Sequence, residues 1–259
     1  MATLATDILI HSKAKSLSPS KALFLPDMLV QAGRLELAPD VVLALDDFKQ
    51  APETIMGSVM AGGIKLPLIP MWLEWDWFNP DDKNDQMRIG CMVMQNEIKE
   101  LVISTAVRYQ SVCSIVPAFI VISKKRAECH YLRENTKDEL DDLFHYTIYV
   151  VLRTLLMLSA KNAPLKMGEA DDYERLNRHR AKAGKPPVLG CRPVRWDLSR
   201  IERRVIGGLT PENRKKAIAH VVRGHIKITK NGSFWWNPFF RCVREGEELP
   251  NGRDYKVIN

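Results

Sequence analysis

Cysteine is sparse in this chain. Its five residues, Cys91, Cys113, Cys129, Cys191 and Cys242, are scattered, and no two stand in a C-x-x-C spacing. Neither a disulfide framework nor a zinc knuckle is signalled, and a reducing compartment is the natural reading. Long apolar runs are missing too. The best candidate, Tyr146 to Ser159, is 14 residues long with Arg153 in its middle. A membrane-spanning helix needs roughly 20 apolar residues, so this segment reads as a buried helix and no membrane partner is implied. Met1 to Leu17 carries its lysines after the apolar run and has no small-residue cleavage site, which argues against a secretory signal. Gly62-Gly63 and Gly207-Gly208 lack the Gly-x-Gly-x-x-Gly and Gly-Lys-Ser/Thr patterns, and there is no Gly-x-Ser-x-Gly elbow. No cofactor is implied, and no internal repeat or low-complexity tract is present.

What the chain does have is segregated charge. From Glu174 to Lys230 there are 16 Lys/Arg against 4 Asp/Glu, a net of +12. The 22 basic and 27 acidic residues outside that window leave the rest of the chain at −5. A mildly acidic body with one strongly basic segment points to a polyanionic partner, with nucleic acid foremost.

The 259 residues suffice for one large domain or two modest ones. Residues 18–62 read as short helices punctuated by Pro39, Pro52 and Gly62-Gly63. Leu66 to Trp77, Gln86 to Met94, Lys99 to Tyr109 and Cys113 to Ser123 are rich in Ile, Val, Met and Trp, and read as an antiparallel meander. Thr136 to Ala163 is the clearest helix, with a Thr136/Glu139 capping box. Its apolar stripe is Leu140, Phe144, Ile148, Val151, Leu155 and Leu158. A polar helix, Glu169 to Ala183, stops at Gly184-Lys185-Pro186-Pro187, and a strand follows around Arg192 to Leu198. The fold class is α+β: an antiparallel sheet packed by a long helix, with a basic C-terminal part ending in a β-hairpin. A boundary near residue 163 divides 1–163 from 164–259, although the two can equally form a single domain.

Asn231-Gly232 between two β-prone runs is a strong hairpin signal, because both central positions favour positive φ. With those two residues at the centre, Lys230 pairs with Ser233 and Lys227 with Trp236. Alternation then puts Arg223, His225, Lys227, Thr229, Phe234 and Trp236 on one face, and Val222, Ile226, Ile228 and Trp235 on the other. The first face is cationic and aromatic, suited to phosphates and to base stacking. The polar helix adds Arg175, Arg178 and Lys182 on neighbouring rows, a strip able to follow a phosphate backbone. The expected nucleic-acid contacts are therefore Arg223, His225, Lys227 and Trp236, supported by Arg175, Arg178 and Lys182. The competing reading makes Phe234 and Trp236 core residues under a helix, with the cations passing over them.

Catalytic signals are weaker. His220 and His225 lie five apart and face opposite ways on a regular strand, but a bend at Gly224 would bring them together beside Arg223. That trio could serve metal-free RNA cleavage. Glu74 and Asp76 share a strand face, the arrangement that holds Mg²⁺ in many nucleases, yet no third ligand is evident. A polar strand face is the plainer reading, and no metal site is assigned.

The run His220-x-x-Arg223-Gly224-His225-x-Lys227, followed by Trp236-x-Pro238 and Arg241, resembles the ending of a group of phage, prophage and plasmid proteins. Upstream, Ser159-Ala160-Lys161-Asn162, Leu176-Asn177-Arg178-His179-Arg180 and Gly184-Lys185-Pro186-Pro187 fit the same pattern, so the likeness spans roughly the C-terminal two fifths. Val222-Arg223 stands where the group often has Arg-Arg, and Cys242 where a glycine is usual. The resemblance implies a mobile-element origin and a bacterial cytoplasm, without an activity. The leading expectation is a non-enzymatic nucleic-acid-binding protein. An inhibitor of a host protein complex and a ribonuclease using the histidine pair are the alternatives.

Overall fold

The computed structural model describes residues 3–13, 26–46, 57, 70–78, 85–96, 100–110, 112–123, 127–131, 137–197, 204–206, 220–222, 225–229, 232–236 and 239–241. An eight-stranded open sheet organises them. It is built from β1 (Gly33–Leu37), β2 (Met71–Phe78), β3 (Gln86–Gln95), β4 (Leu101–Tyr109), β5 (Val112–Ile122), β6 (Ala127–Tyr131), β7 (Leu165–Met167) and β8 (Arg192–Trp196), in the order β6-β5-β4-β3-β2-β1-β8-β7. Strands β2 to β6 form the antiparallel meander. The helices are α1 (Leu4–Lys13), α2 (Pro26–Gln31), α3 (Pro39–Asp46), α4 (Lys137–Ser159) and α5 (Glu174–Lys182). The protein is α+β with a mostly antiparallel sheet. Among the described residues, no helix is long and apolar enough to cross a membrane.

The sheet is not wholly antiparallel. Gly33–Leu37, expected within a helical region, is a strand lying parallel to both β2 and β8. Its five residues are too few to show a period, and its partner β8 lies over 150 residues away in the chain, a pairing no local pattern announces. Strands from both sides of residue 163 thus share one sheet.

Alternation along β2 separates two cores. Met71, Leu73 and Trp75 point to one face, where Val41, Val42 and Leu45 of α3 and Phe144, Val151 and Leu155 of α4 are buried with them. Trp72 points to the other, under Leu4, Ala5, Ile8 and Leu9 of α1 and Leu29 of α2. Close packing there depends on Gly90. A Cβ at that position would fall 2.7 Å from Trp72 Cη2 and 2.9 Å from Leu4 Cδ2. Helix α4 ends at Ser159, just past the last stripe residue Leu158 and four residues before the expected end at Ala163. Ala160 N–H bonds back to Met157 O, and Asn162 at φ +64 turns the chain left-handed ahead of Pro164. The Thr136/Glu139 box lies outside the described side chains.

On the α1 side, the carboxylates that share a strand face meet an arginine. Arg88 of β3, only 12% exposed, donates to Glu74 Oε1 at 2.6 Å, to Glu36 Oε1 at 2.5 Å and to Asp76 Oδ1 at 3.0 Å. Glu74 is fully buried, and its other oxygen accepts from Trp72 Nε1 at 2.8 Å and from Ala5 N–H at 3.4 Å. Burial alone would weaken the guanidinium's hold on its proton. Glu74's charge and the hydrogen bonds that the guanidinium donates to Glu36 and Glu74 outweigh that effect, so its pKa is raised and it stays charged.

Arg88→Met leaves the buried Glu74 carboxyl without its cation, so urea denaturation should show a loss of about 3–5 kcal/mol. Gly90→Ala should cost about 1–3 kcal/mol by overpacking in the same assay. Burial pushes the Cys91 thiol up to about 12, with Thr105 bonding partly offsetting the effect. Iodoacetamide at about pH 8 should therefore spare Cys91 in the folded protein and modify it after unfolding, as read by mass spectrometry.

Candidate nucleic-acid interface

Two strands, β11 (His225–Thr229) and β12 (Gly232–Trp236), pair as an antiparallel hairpin. The register differs from the expected one. Thr229 pairs with Gly232, so Gly232 is a ladder residue rather than a turn centre. Lys227 lies opposite Phe234 instead of Trp236, a displacement of two residues along β12. Because side chains alternate with period two, an even displacement keeps Lys227, Phe234 and Trp236 on one face and Trp235 on the other.

Strand β12 is held from outside the hairpin. Trp235 N–H donates to Lys161 O at 3.1 Å, just beyond the end of α4, and Lys161 forms a parallel bridge with Phe234. The Trp235 ring packs on Trp196, with centroids 5.6 Å apart, and reaches the larger core. Trp196 is itself fixed at the end of β8, where its Nε1 donates to Asp40 O at 3.2 Å. One indole is thus turned inward, and its neighbour is left at the surface.

Trp236 is 45% exposed. The Lys227 ammonium, also at the surface, lies over its ring at 4.7 Å from the centroid. On the same side of the hairpin the Lys161 ammonium lies 5.3 Å from the centroid of the half-buried Phe234 ring. Each such contact at an exposed site is worth about 0.5–1 kcal/mol, weak enough for a ligand to displace. The outward face therefore presents two aromatic rings, each attended by a lysine.

The other expected contacts fall elsewhere or outside the described residues. His225 stands opposite Trp236 in the ladder, while its side chain and the whole of Arg223 lie outside the description. His220 belongs to β10 (His220–Val222), which pairs with β13 (Phe239–Arg241) in a separate three-stranded sheet completed by β9 (Arg204–Ile206). The two histidines thus start from different sheets. Arg175, Arg178 and Lys182 are all exposed on α5, a helix with no buried residue. Arg178 meets Glu174 at 3.7 Å in an exposed i,i+4 pair of little energetic weight. Helix α5 starts five residues later than expected and ends as expected at Gly184. There φ is +65, and Lys185 N–H and Gly184 N–H return to Arg180 O and Ala181 O. Its Asn177 amide clasps both backbone groups of Val188, and Leu189 N–H reaches Thr6 Oγ1 at 2.9 Å. So α5 is tied to the α1 layer, while the hairpin is tied to the end of α4 and to β8.

No local pattern in the sequence marks Lys161 or Trp196 as part of this site. Lys161 did sit within the Ser159-to-Asn162 stretch, but nothing local indicated that it would meet β12. Glu74 and Asp76 do acquire a third carboxylate, Glu36, yet the Arg88 guanidinium occupies the space among them. Among the described residues no group of His, Cys, Asp or Glu side chains is disposed to hold a metal ion. The chain matches no family model, no curated protein and no solved structure.

The two neighbouring indoles should separate stability from surface function. Trp235→Ala should cost on the order of 2–3 kcal/mol in urea denaturation, somewhat below the ~3–5 of a fully buried tryptophan. Trp236→Ala should stay within about 1 kcal/mol of the parent chain.

Proposed function

We propose that this chain is a nucleic-acid-binding protein of a phage or related mobile element, acting in a bacterial cytoplasm by binding rather than by catalysis. The observation that carries the reading is Lys227 seated over the exposed Trp236 ring, on a hairpin whose other face packs on Trp196 and whose β12 edge is bonded by the Lys161 backbone. A cation beside an exposed ring offers a phosphate and a base their two favoured contacts on one rigid surface. The +12 window, Glu174 to Lys230, includes Lys227 and ends just before β12, and Arg175, Arg178 and Lys182 stand exposed on α5. The mobile-element origin rests on the His220-to-Arg241 motif. Exposed tryptophan and arginine also mark protein-binding hot spots, which keeps a host protein as the second reading.

Fluorescence anisotropy with labelled DNA and RNA at low and moderate salt tests the reading. Four exposed cations, Arg175, Arg178, Lys182 and Lys227, predict neutralisation of about four phosphates. A single strand should then lose roughly 50-fold in affinity between about 50 and 200 mM salt. Arg223→Ala combined with Lys227→Ala should shrink that dependence, and the RNA should remain uncut. Affinity that is flat with salt sinks the proposal and turns the search to a host protein. Cleavage that disappears in His220→Ala, with binding kept, would establish the ribonuclease instead.

A further inference from the structure

We infer that the hairpin takes single-stranded nucleic acid, DNA or RNA, and stacks successive bases on Phe234 and Trp236; this deepens the nucleic-acid reading and rests on it. The two rings stand two residues apart on one face of β12, which spaces them by about 6.5–7 Å along the strand. Stacked bases in a duplex strand are spaced by about 3.4 Å. Neighbouring bases can meet both rings only if they are spread to twice that distance, and paired, stacked bases are not available to be spread. An unpaired strand adopts the wider spacing without losing base pairs.

The lysines fit the same pattern. Lys227 and Lys161 reach the two rings from different directions, one from the facing strand and one from the end of α4. A base arriving on either ring displaces an ammonium held there by a weak contact, and that ammonium moves onto the adjoining phosphate. Because every base has a π-face, the platform is tolerant of sequence. Its hold is fixed by Trp235, which spends its own ring on Trp196 and keeps β12 from rotating.

Anisotropy of the full chain tests this with labelled oligo(dT), oligo(U) and a DNA duplex, each of about 12 nucleotides or base pairs, at one salt concentration. Both single strands should bind at least about tenfold more tightly than the duplex, and their ratio gives the sugar preference. Trp236→Ala should weaken single-strand binding by about 5- to 150-fold and leave duplex binding within about twofold. Trp236→Phe, which keeps a ring, should stay within about threefold of the parent chain. Equal or tighter duplex binding overturns the inference while leaving salt-dependent nucleic-acid binding standing. So does a Trp236→Ala loss that is the same for duplex and single strand, or no loss at all. If no oligonucleotide binds, the nucleic-acid reading falls and the inference falls with it.

Discussion

Arg88 ties together the part of the sheet on which everything else is arranged. It reaches Glu36 on β1 and both Glu74 and Asp76 on β2, and so spans the point where the antiparallel meander gives way to parallel strands. A buried carboxylate such as Glu74 is costly alone, and is tolerable here because both of its oxygens find donors: Arg88 for one, Trp72 and the Ala5 backbone for the other. The same group therefore fixes the seat of β1 in the sheet and the start of α1 on its surface.

From that seat a line of dependence runs to the surface. β1 aligns β8 beside it, β8 ends in Trp196, and Trp196 receives Trp235. The backbone of Lys161, placed by the left-handed turn at Asn162, takes the other hold on β12. With Trp235 committed inward, alternation leaves Phe234 and Trp236 facing outward with Lys161 and Lys227. An isolated two-stranded hairpin is marginal in water, so this docking is what turns a β-prone sequence into a defined surface.

Charge is handled differently in the two parts of the chain. In the sheet it is drawn into pairs: Arg88 with three carboxylates, and Arg108 with Asp7 at 2.5 Å. On α5 Arg175, Arg178 and Lys182 stand at the surface, and the helix contributes no buried side chain. The helix is held to the body by Asn177 and by Arg180, whose Nε donates to Pro186 O at 2.7 Å, while Arg175, Arg178 and Lys182 stay exposed.

By itself the sequence determined those features that rest on local periodicity and local chemistry. The strands β2 to β5, the long helix α4, the stop at Gly184 and the two-faced character of the hairpin all follow from spacing, turn residues and side-chain alternation. Even the misplaced turn left Lys227 and Trp236 on one face, since an error of two residues preserves a period of two. The tertiary structure alone decided the parallel insertion of β1, the capture of Glu74 and Asp76 by Arg88, and the meeting of Lys161 and Trp196 with β12. Apart from the cross-strand contact of Arg88 with Glu74 and Asp76, those are contacts between segments far apart in the chain, and their partners are chosen by burial and hydrogen-bond satisfaction across the whole fold. No window of neighbouring residues carries that information.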